Sequence, residues 1–146
     1  MNWQQKTFDQ LTTLELYSIL RLRAAVFVVE QDCVYQDVDN KDQKAIHVFA
    51  KQDEEVVAYT RIFKAGDYFQ EASIGRVVVL PAKRGTGLAR DMMLQAIVYI
   101  EQNLPDKTIR ISAQTYLREF YASLGFKQVG VEYLEDGLPH IGMLRM

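Results

Sequence analysis

The spacing of hydrophobic residues changes several times along the chain, and each change marks a predicted element. Trp3–Phe8 predicts a short first strand, and Thr12 followed three residues later by Glu15 is typical of a capping box that opens a helix. Apolar residues then recur at roughly helical spacing to about Val29. The segment 31–44 is too polar for a core and predicts a long exposed loop, a kind of segment that often carries function.

The middle of the chain has the pattern of paired strands. Ala45–Lys51 and Val56–Lys64 flank a short polar turn, which predicts an antiparallel hairpin. The next run, Ser73–Leu80, becomes continuously apolar at its end, as in a strand buried on both faces. After Pro81 and a glycine-containing turn, apolar residues return at helical spacing between Leu88 and Pro105.

The C-terminal part continues the alternation of strands and helices. Thr108–Ala113 predicts a strand, Leu117–Leu124 a short helix, and the remainder two closing strands. The predicted class is therefore α/β of the α+β type with a mostly antiparallel start, which disfavours a regular doubly wound fold. No linker, repeat or low-complexity segment divides the chain, so we expect one domain over residues 1–146.

Composition narrows the classes of function. The 17 Lys and Arg against 19 Asp and Glu, a net charge of −2, leave no basic surface for general nucleic-acid binding. The apolar runs are far shorter than the roughly 20 residues that cross a bilayer, and the first residues do not form a signal peptide. We expect a cytoplasmic protein with neither nucleic acid nor membrane as a partner. One cysteine and two histidines exclude a disulfide and disfavour a metal site.

The segment Lys83–Arg90 lies between a predicted buried strand and an amphipathic helix. Its glycines let the backbone approach a ligand closely, and the first amides of a helix favour a bound anion. Arg84 adds a positive charge. The spacing fits neither the dinucleotide fingerprint, whose third small residue is replaced by Arg90, nor the P-loop. The segment therefore predicts a phosphate-binding turn of another kind.

Two motifs give this turn a context. The first is the pattern Arg/Gln-x-x-Gly-x-Gly/Ala, which Arg84, Gly87 and Ala89 match. The second lies in Phe120–Phe126, where an aromatic residue and a tyrosine are followed by the sequence Leu-Gly-Phe. Together with the valine strand before the turn, they resemble the GNAT acetyltransferase superfamily over nearly the whole chain. Further segments are similar to its ElaA branch: 26–31, 35–39, 75–77 and 136–143. The resemblance implies a GNAT fold, with a mostly antiparallel sheet of six to seven strands, flanked by helices and splayed at the acetyl-CoA site.

The resemblance also implies acetyl-CoA as the cosubstrate and a set of residues that bind it. The strand backbone would pair with the pantetheine arm, and the turn would hold the pyrophosphate. Gln114 stands where many relatives have an asparagine that contacts the cofactor. The implied set is Val77, Val78, Val79, Arg84, Gly85, Thr86, Gly87, Leu88, Ala89, Arg90, Gln114 and Tyr121.

Acetyl transfer from a thioester to an amine needs a base and a proton donor. Tyr121 resembles the family tyrosine that protonates the departing thiolate, and a phenol is a donor throughout the neutral range. The base is unassigned among Glu30, His47 and His140. Each has a structural alternative: Glu30 caps the helix or pairs with Arg76, His47 is a satisfied, partly buried histidine, and His140 fixes a turn.

The acceptor side is less defined. Arg76 is expected at the acceptor cleft, and the Asp-rich loop 32–42 either forms a solvated face or attracts a cationic amine, but it lacks the pattern of a calcium loop. Cys33 belongs to no nucleophile motif, so we expect direct transfer in a ternary complex to a small-molecule or peptide amine. The alternative is a non-catalytic acyl-CoA sensor. Free edges of the closing strands would allow a homodimer.

Overall fold

Seven strands form one mixed sheet in the computed structural model, which describes residues 1–146. The strands lie across the sheet in the order β1-β2-β3-β4-β5-β7-β6. Only the neighbours β4 and β5 run parallel, and every other pair is antiparallel, as predicted. The strands are β1 Trp3–Thr7, β2 Ile46–Gln52, β3 Glu55–Phe63, β4 Ala72–Val79, β5 Ile109–Gln114, β6 Lys127–Glu135 and β7 Leu138–Arg145.

Three α-helices accompany the sheet, none of them long and apolar enough to span a membrane: α1 Thr13–Arg23, α2 Leu88–Asn103 and α3 Arg118–Ala122. The predicted capping box opens α1, because the Thr12 hydroxyl accepts the Glu15 amide at 3.0 Å and the Glu15 carboxylate accepts the Thr12 amide at 2.9 Å. A π-helical segment, Ala24–Glu30, continues α1, which accounts for the helical spacing of the apolar residues to Val29.

The two faces of the sheet bury separate apolar clusters, because successive side chains of a strand point to opposite faces. On one face α2 and α3 pack over a large cluster that includes Val48 and Ile62. On the other face α1 and the π-helical segment cover Phe49 and Tyr59. Of the candidate functional residues, Tyr121 belongs to the first cluster.

Strand β4 carries a bulge and separates from β5. In the pairing with β3, Arg61 lies opposite Gly75 and Tyr59 opposite Val78, so one residue of β3 faces two residues of β4. Arg76, inside the bulge, adopts a left-handed backbone with φ 51°. The pairing of β4 with β5 ends at Ser73. Beyond that point the edges of both strands face a gap in the sheet.

The prediction of a solvated loop at 31–44 is wrong for three of its four aspartates, since Asp32 alone is exposed. Asp37 and Asp42 are buried, and the loop's carboxylates pair with arginines from three other elements. Arg23 of α1 contacts Asp37 at 2.8 Å and Asp42 at 2.9 Å. We call the whole set the arginine–aspartate network: Arg23, Arg61, Arg76, Asp37, Asp39 and Asp42.

Candidate functional site

A cavity of about 130 Å³ opens where β4 and β5 separate. Its walls come from β3, β4, β5, the loop after the π-helical segment, the turn before α3 and the turn between β6 and β7. Aromatic side chains supply much of the apolar wall. The lining residues with polar side-chain atoms are Gln31, Cys33, Tyr35, Arg61, Tyr68, Ser73, Arg76, Ser112, Gln114, Tyr121, Glu135, Asp136 and His140.

Tyr121 reaches the cavity from α3 and is only 6% exposed. Its ring packs edge-on against Phe120 and Phe126, with centroid distances of 5.1 and 6.1 Å. Burial, together with the phenol of Tyr116 nearby, raises the pKa of Tyr121 well above its usual value. The hydroxyl therefore stays protonated across the neutral range and can donate to an atom in the cavity.

His140 of β7 lines the same cavity and has a defined tautomer when neutral. Its Nδ1 lies 2.7 Å from the carbonyl oxygen of Leu138, and because a carbonyl can only accept, Nδ1 carries the proton. Nε2 is then left with a lone pair. The Glu135 carboxylate lies 3.5 Å from Nε2, and the ring stacks on Tyr133 at 6.2 Å. Glu135 also accepts a hydrogen bond from Ser112 at 3.2 Å.

His47 and Glu30 lie outside the cavity. His47 is fully buried, with its ring nitrogens 2.7 Å from the Tyr59 hydroxyl and 2.9 Å from the Asp42 carbonyl oxygen. Burial lowers the pKa of His47, which favours the neutral ring, and the placement fits a satisfied core histidine. Glu30 accepts two hydrogen bonds from Arg84, at 2.7 and 2.8 Å.

The alternative in which Glu30 pairs with Arg76 is therefore wrong, because Glu30 holds Arg84. Arg76 turns instead into the arginine–aspartate network, where its Nε lies 2.7 Å from Asp37. Of the three candidate bases, only His140 shares the cavity with Tyr121. Arg76 lines this cavity as well, on the wall opposite His140's strand.

The turn before α2 presents a run of free amides. Gly85 and Gly87 adopt left-handed conformations, with φ 78° and 81°, that glycine tolerates best. The amide N–H groups of residues 85–90 donate to no acceptor in the protein, and Asp91 is the first whose amide bonds back, to the Gly87 carbonyl at 3.1 Å. Six consecutive free donors at a helix start are able to bind an anion.

The cationic residues of this turn are partly engaged. Arg84 holds Glu30 and also donates from Nε to the Val79 carbonyl at 3.2 Å. Arg90 donates to the Ser123 hydroxyl at 3.0 Å. The turn is therefore tied both to the end of β4 and to the segment after α3.

Comparison with known proteins decides the family. A family model described as an acetyltransferase (GNAT) domain matches residues 12–145. The chain belongs to the GNAT acetyltransferase family. It is 42% identical to protein ElaA of Escherichia coli (strain K12) over 147 aligned residues, which cover 99% of this chain and 96% of ElaA.

Solved structures agree with this assignment to GNAT. The crystal structure of Escherichia coli ElaA superposes with a TM-score of 0.93 at 40% identity, and each chain is covered completely. An acyl-CoA N-acyltransferase from Pseudomonas aeruginosa superposes with a TM-score of 0.92 at 39% identity, again over both whole chains. The predicted superfamily, the ElaA-like branch and the GNAT fold are confirmed.

Several residues at the GNAT cavity were missed from the sequence. Ser73, Ser112, Tyr133 and Glu135 contact or line the cavity, yet none stands in a recognisable motif. Cys33, placed on the loop by sequence, is buried, and its thiol donates to the Asp136 carbonyl at 3.3 Å. This contact ties the loop to the turn between β6 and β7. No group of three or more His, Cys, Asp or Glu is arranged to hold a metal ion.

Proposed function

We propose that residues 1–146 form an acetyl-CoA-dependent N-acetyltransferase domain that moves an acetyl group to the primary amine of a small-molecule or peptide acceptor. One observation carries the proposal: the gap between β4 and β5, the Tyr121 side chain and the lone-pair nitrogen of His140 belong to one cavity. A donor for a leaving thiolate and an acceptor for an amine proton are thus available at one place.

The turn before α2 supports the binding of acetyl-CoA. A pyrophosphate carries charges that the six free amides at residues 85–90 and the positive end of the α2 dipole would stabilise. Arg84 and Arg90 add cationic groups beside those amides. Between this turn and the cavity lies the unpaired edge of Val77–Val79, along which an extended pantetheine arm could pair as an added strand.

The proposed role of His140 follows from the protonation state of the acceptor. An alkyl amine with a pKa near 10.4 is protonated at pH 7, and making it neutral costs about 4.6 kcal/mol. His140 Nε2 would accept this proton, and the Glu135 carboxylate at 3.5 Å would stabilise the imidazolium that forms. The neutral amine then attacks the thioester carbonyl carbon, the carbon–sulfur bond breaks, and Tyr121 gives its proton to the departing sulfur. The nitrogen of the new amide loses its remaining extra proton, which restores the Tyr121 phenol, and the proton held by His140 passes to solvent.

The experiment measures free thiol and acetylated product when the protein is mixed with acetyl-CoA and a panel of amines. With the best acceptor, Tyr121→Phe should keep the Kd for acetyl-CoA within about twofold and lower kcat by about a hundredfold or more. His140→Gln should lower kcat by a similar factor. Tyr17→Phe, which removes an exposed phenol on α1 outside the cavity, serves as the matched control.

Two results would contradict this function. If the Tyr121→Phe variant has the kcat of the wild type, Tyr121 is not the general acid. Tight binding of acetyl-CoA without thiol release above the rate in buffer, for every amine of the panel, would favour the non-catalytic sensor instead.

A further inference from the structure

Two buried donors on the β3–β4 side of the cavity have no partner. Ser73 is 2% exposed and Arg61 is 1% exposed, and both line the cavity. The hydroxyl oxygen of Ser73 and the Nε of Arg61 form no hydrogen bond within the protein. Buried polar groups are nearly always hydrogen-bonded. Two unpartnered donors beside one cavity therefore indicate that a bound molecule supplies their acceptor.

Strand geometry places these donors on one wall. Arg61 lies opposite Gly75 and Phe63 opposite Ser73 in the antiparallel register, so Arg61 and Ser73 project from the same face of the sheet. Arg76 lines the cavity beside them, and its Nη1 has no hydrogen-bond partner. Its Nε lies 2.7 Å from Asp37 but at an angle that leaves the N–H poorly aligned. We call Arg61, Ser73 and Arg76 the donor wall.

The opposite side of the cavity has the complementary chemistry. Glu135, Asp136 and His140, here called the acidic wall, come from β6, β7 and the turn between them. The network pairs three aspartates with three arginines, so the donor wall offers unpartnered N–H and O–H groups and no excess positive charge. The cavity is therefore polarised, with hydrogen-bond donors on one side and carboxylates on the other.

We infer that the acceptor is a primary amine that also carries a carboxylate. This inference rests on the proposed function and names the substrate class of the same site. The ammonium group would face the acidic wall, where His140 can take its proton. The carboxylate would accept hydrogen bonds from Arg61 Nε, Ser73 Oγ and Arg76 Nη1, and such charge-assisted bonds are stronger than neutral ones.

The separation of the walls bears on the length of the acceptor. Strand β5 lies between β4 and β7, and paired neighbouring strands are about 4.8 Å apart, so the backbones of β4 and β7 are at least about 10 Å apart and diverge further where β4 separates from β5. Side chains from both walls shorten that span. The number of carbon atoms between the amine and the carboxylate is therefore to be measured with a length series.

The test uses three chain lengths, those of glycine, β-alanine and 4-aminobutyrate. At each length it compares three compounds: the amino acid, its carboxamide and the alkylamine that lacks the acid group. The common α-amino acids and their amides form a second series. The kcat/KM for thiol release should favour the carboxylate over its amide by about tenfold or more at the best length. Equal kcat/KM for acid, amide and alkylamine would overturn the inference while leaving the acetyltransferase function intact. Absence of turnover with every amine would overturn both.

Variants separate recognition of the carboxylate from a structural effect. Ser73→Ala removes an unpartnered hydroxyl, so it should leave Tm unchanged or raised and reduce the preference for acid over amide by severalfold. Ser18→Ala is the matched control: its hydroxyl, outside the cavity, accepts the Val56 amide at 2.9 Å, so Tm should fall while the preference stays. An unchanged acid-to-amide ratio in Ser73→Ala, or a loss equal for both compounds, would contradict the donor wall.

Discussion

Asp42→Asn tests whether the arginine–aspartate network holds loop 31–44 on the sheet. One carboxylate oxygen of Asp42 accepts from Arg23 at 2.9 Å and from Arg61 at 2.8 Å, and both arginines are 0–1% exposed. The amide keeps the shape of the side chain and removes one negative charge. Three buried or half-buried guanidinium groups would then face two carboxylates.

The expected loss follows from that imbalance. Removing one partner of a buried ion pair costs about 3–5 kcal/mol, and the lower end applies because asparagine retains an acceptor oxygen. For a domain of this size, 1 kcal/mol corresponds to about 2–4 °C in Tm, so Tm should fall by about 6–12 °C. The fall should persist in about 1 M salt because buried pairs are poorly screened.

Thermal unfolding followed by circular dichroism measures this change. Asp53→Asn is the matched control, since Asp53 lies in the exposed turn between β2 and β3, makes no ion pair and already has a positive φ that asparagine tolerates. Its Tm should move by no more than about 2 °C. If Asp42→Asn unfolds at the same temperature as Asp53→Asn, the network does not anchor the loop.

Three further predictions concern acid stability and the turn before α2. Burial alone would raise the pKa of Glu15, as it would that of Asp39, but hydrogen bonds and nearby cations lower both to about 2. The stability that these carboxylates contribute is complete above their unfolded-state pKa values near 4 and disappears as the pH falls toward 2, so Tm should drop over that interval. The drop should be smaller in Glu15→Gln, which lacks one of the two titrating groups. Gly87 has φ 81°, and no atom lies within 4 Å of a Cβ added there. Gly87→Ala should therefore lower Tm by about 2–8 °C through backbone strain alone. A Tm equal to that of the wild type would contradict this. Glu30→Gln frees the guanidinium of Arg84, so calorimetry should show tighter CoA binding at unchanged Tm, whereas weaker binding would assign Glu30 to holding Arg84 in place.

Elements whose cause is local could be predicted from the sequence. The capping box of Thr12 and Glu15 closes within one turn, and its two hydrogen bonds are those that the spacing predicts. The hairpin of β2 and β3 turns at Asp53 and Glu54, inside the polar interruption between two apolar runs. The turn before α2 is equally local, since the glycines, the free amides and the helix start lie within a few residues of one another.

The burial of loop 31–44 could not be predicted in the same way. A carboxylate-rich segment is normally solvated, and its burial depends on cations that arrive from elsewhere. Arg61 is 19 residues from Asp42, and Arg76 is 37 residues from Asp39. Only the folded sheet brings those arginines to the loop, and no spacing rule in one sequence relates them. The positions of Ser73 and Glu135 at the cavity could not be predicted for the same reason, because they depend on the register of β4 and β6.

The network also bears on the shape of the candidate site, through Arg76. A left-handed backbone at a residue with a side chain costs about 1–2 kcal/mol, and such strain persists only where surrounding contacts fix it. The Arg76 guanidinium contacts the carboxylate and the carbonyl oxygen of Asp37, at 2.7 and 3.0 Å, and Asp37 is held in turn by Arg23. The bulge that contains Arg76 begins two residues after β4 leaves β5. The loop aspartates thus act on the cavity by fixing the backbone of β4, and under the proposed function the charge that would attract an amine belongs to Glu135 and Asp136 on the opposite wall.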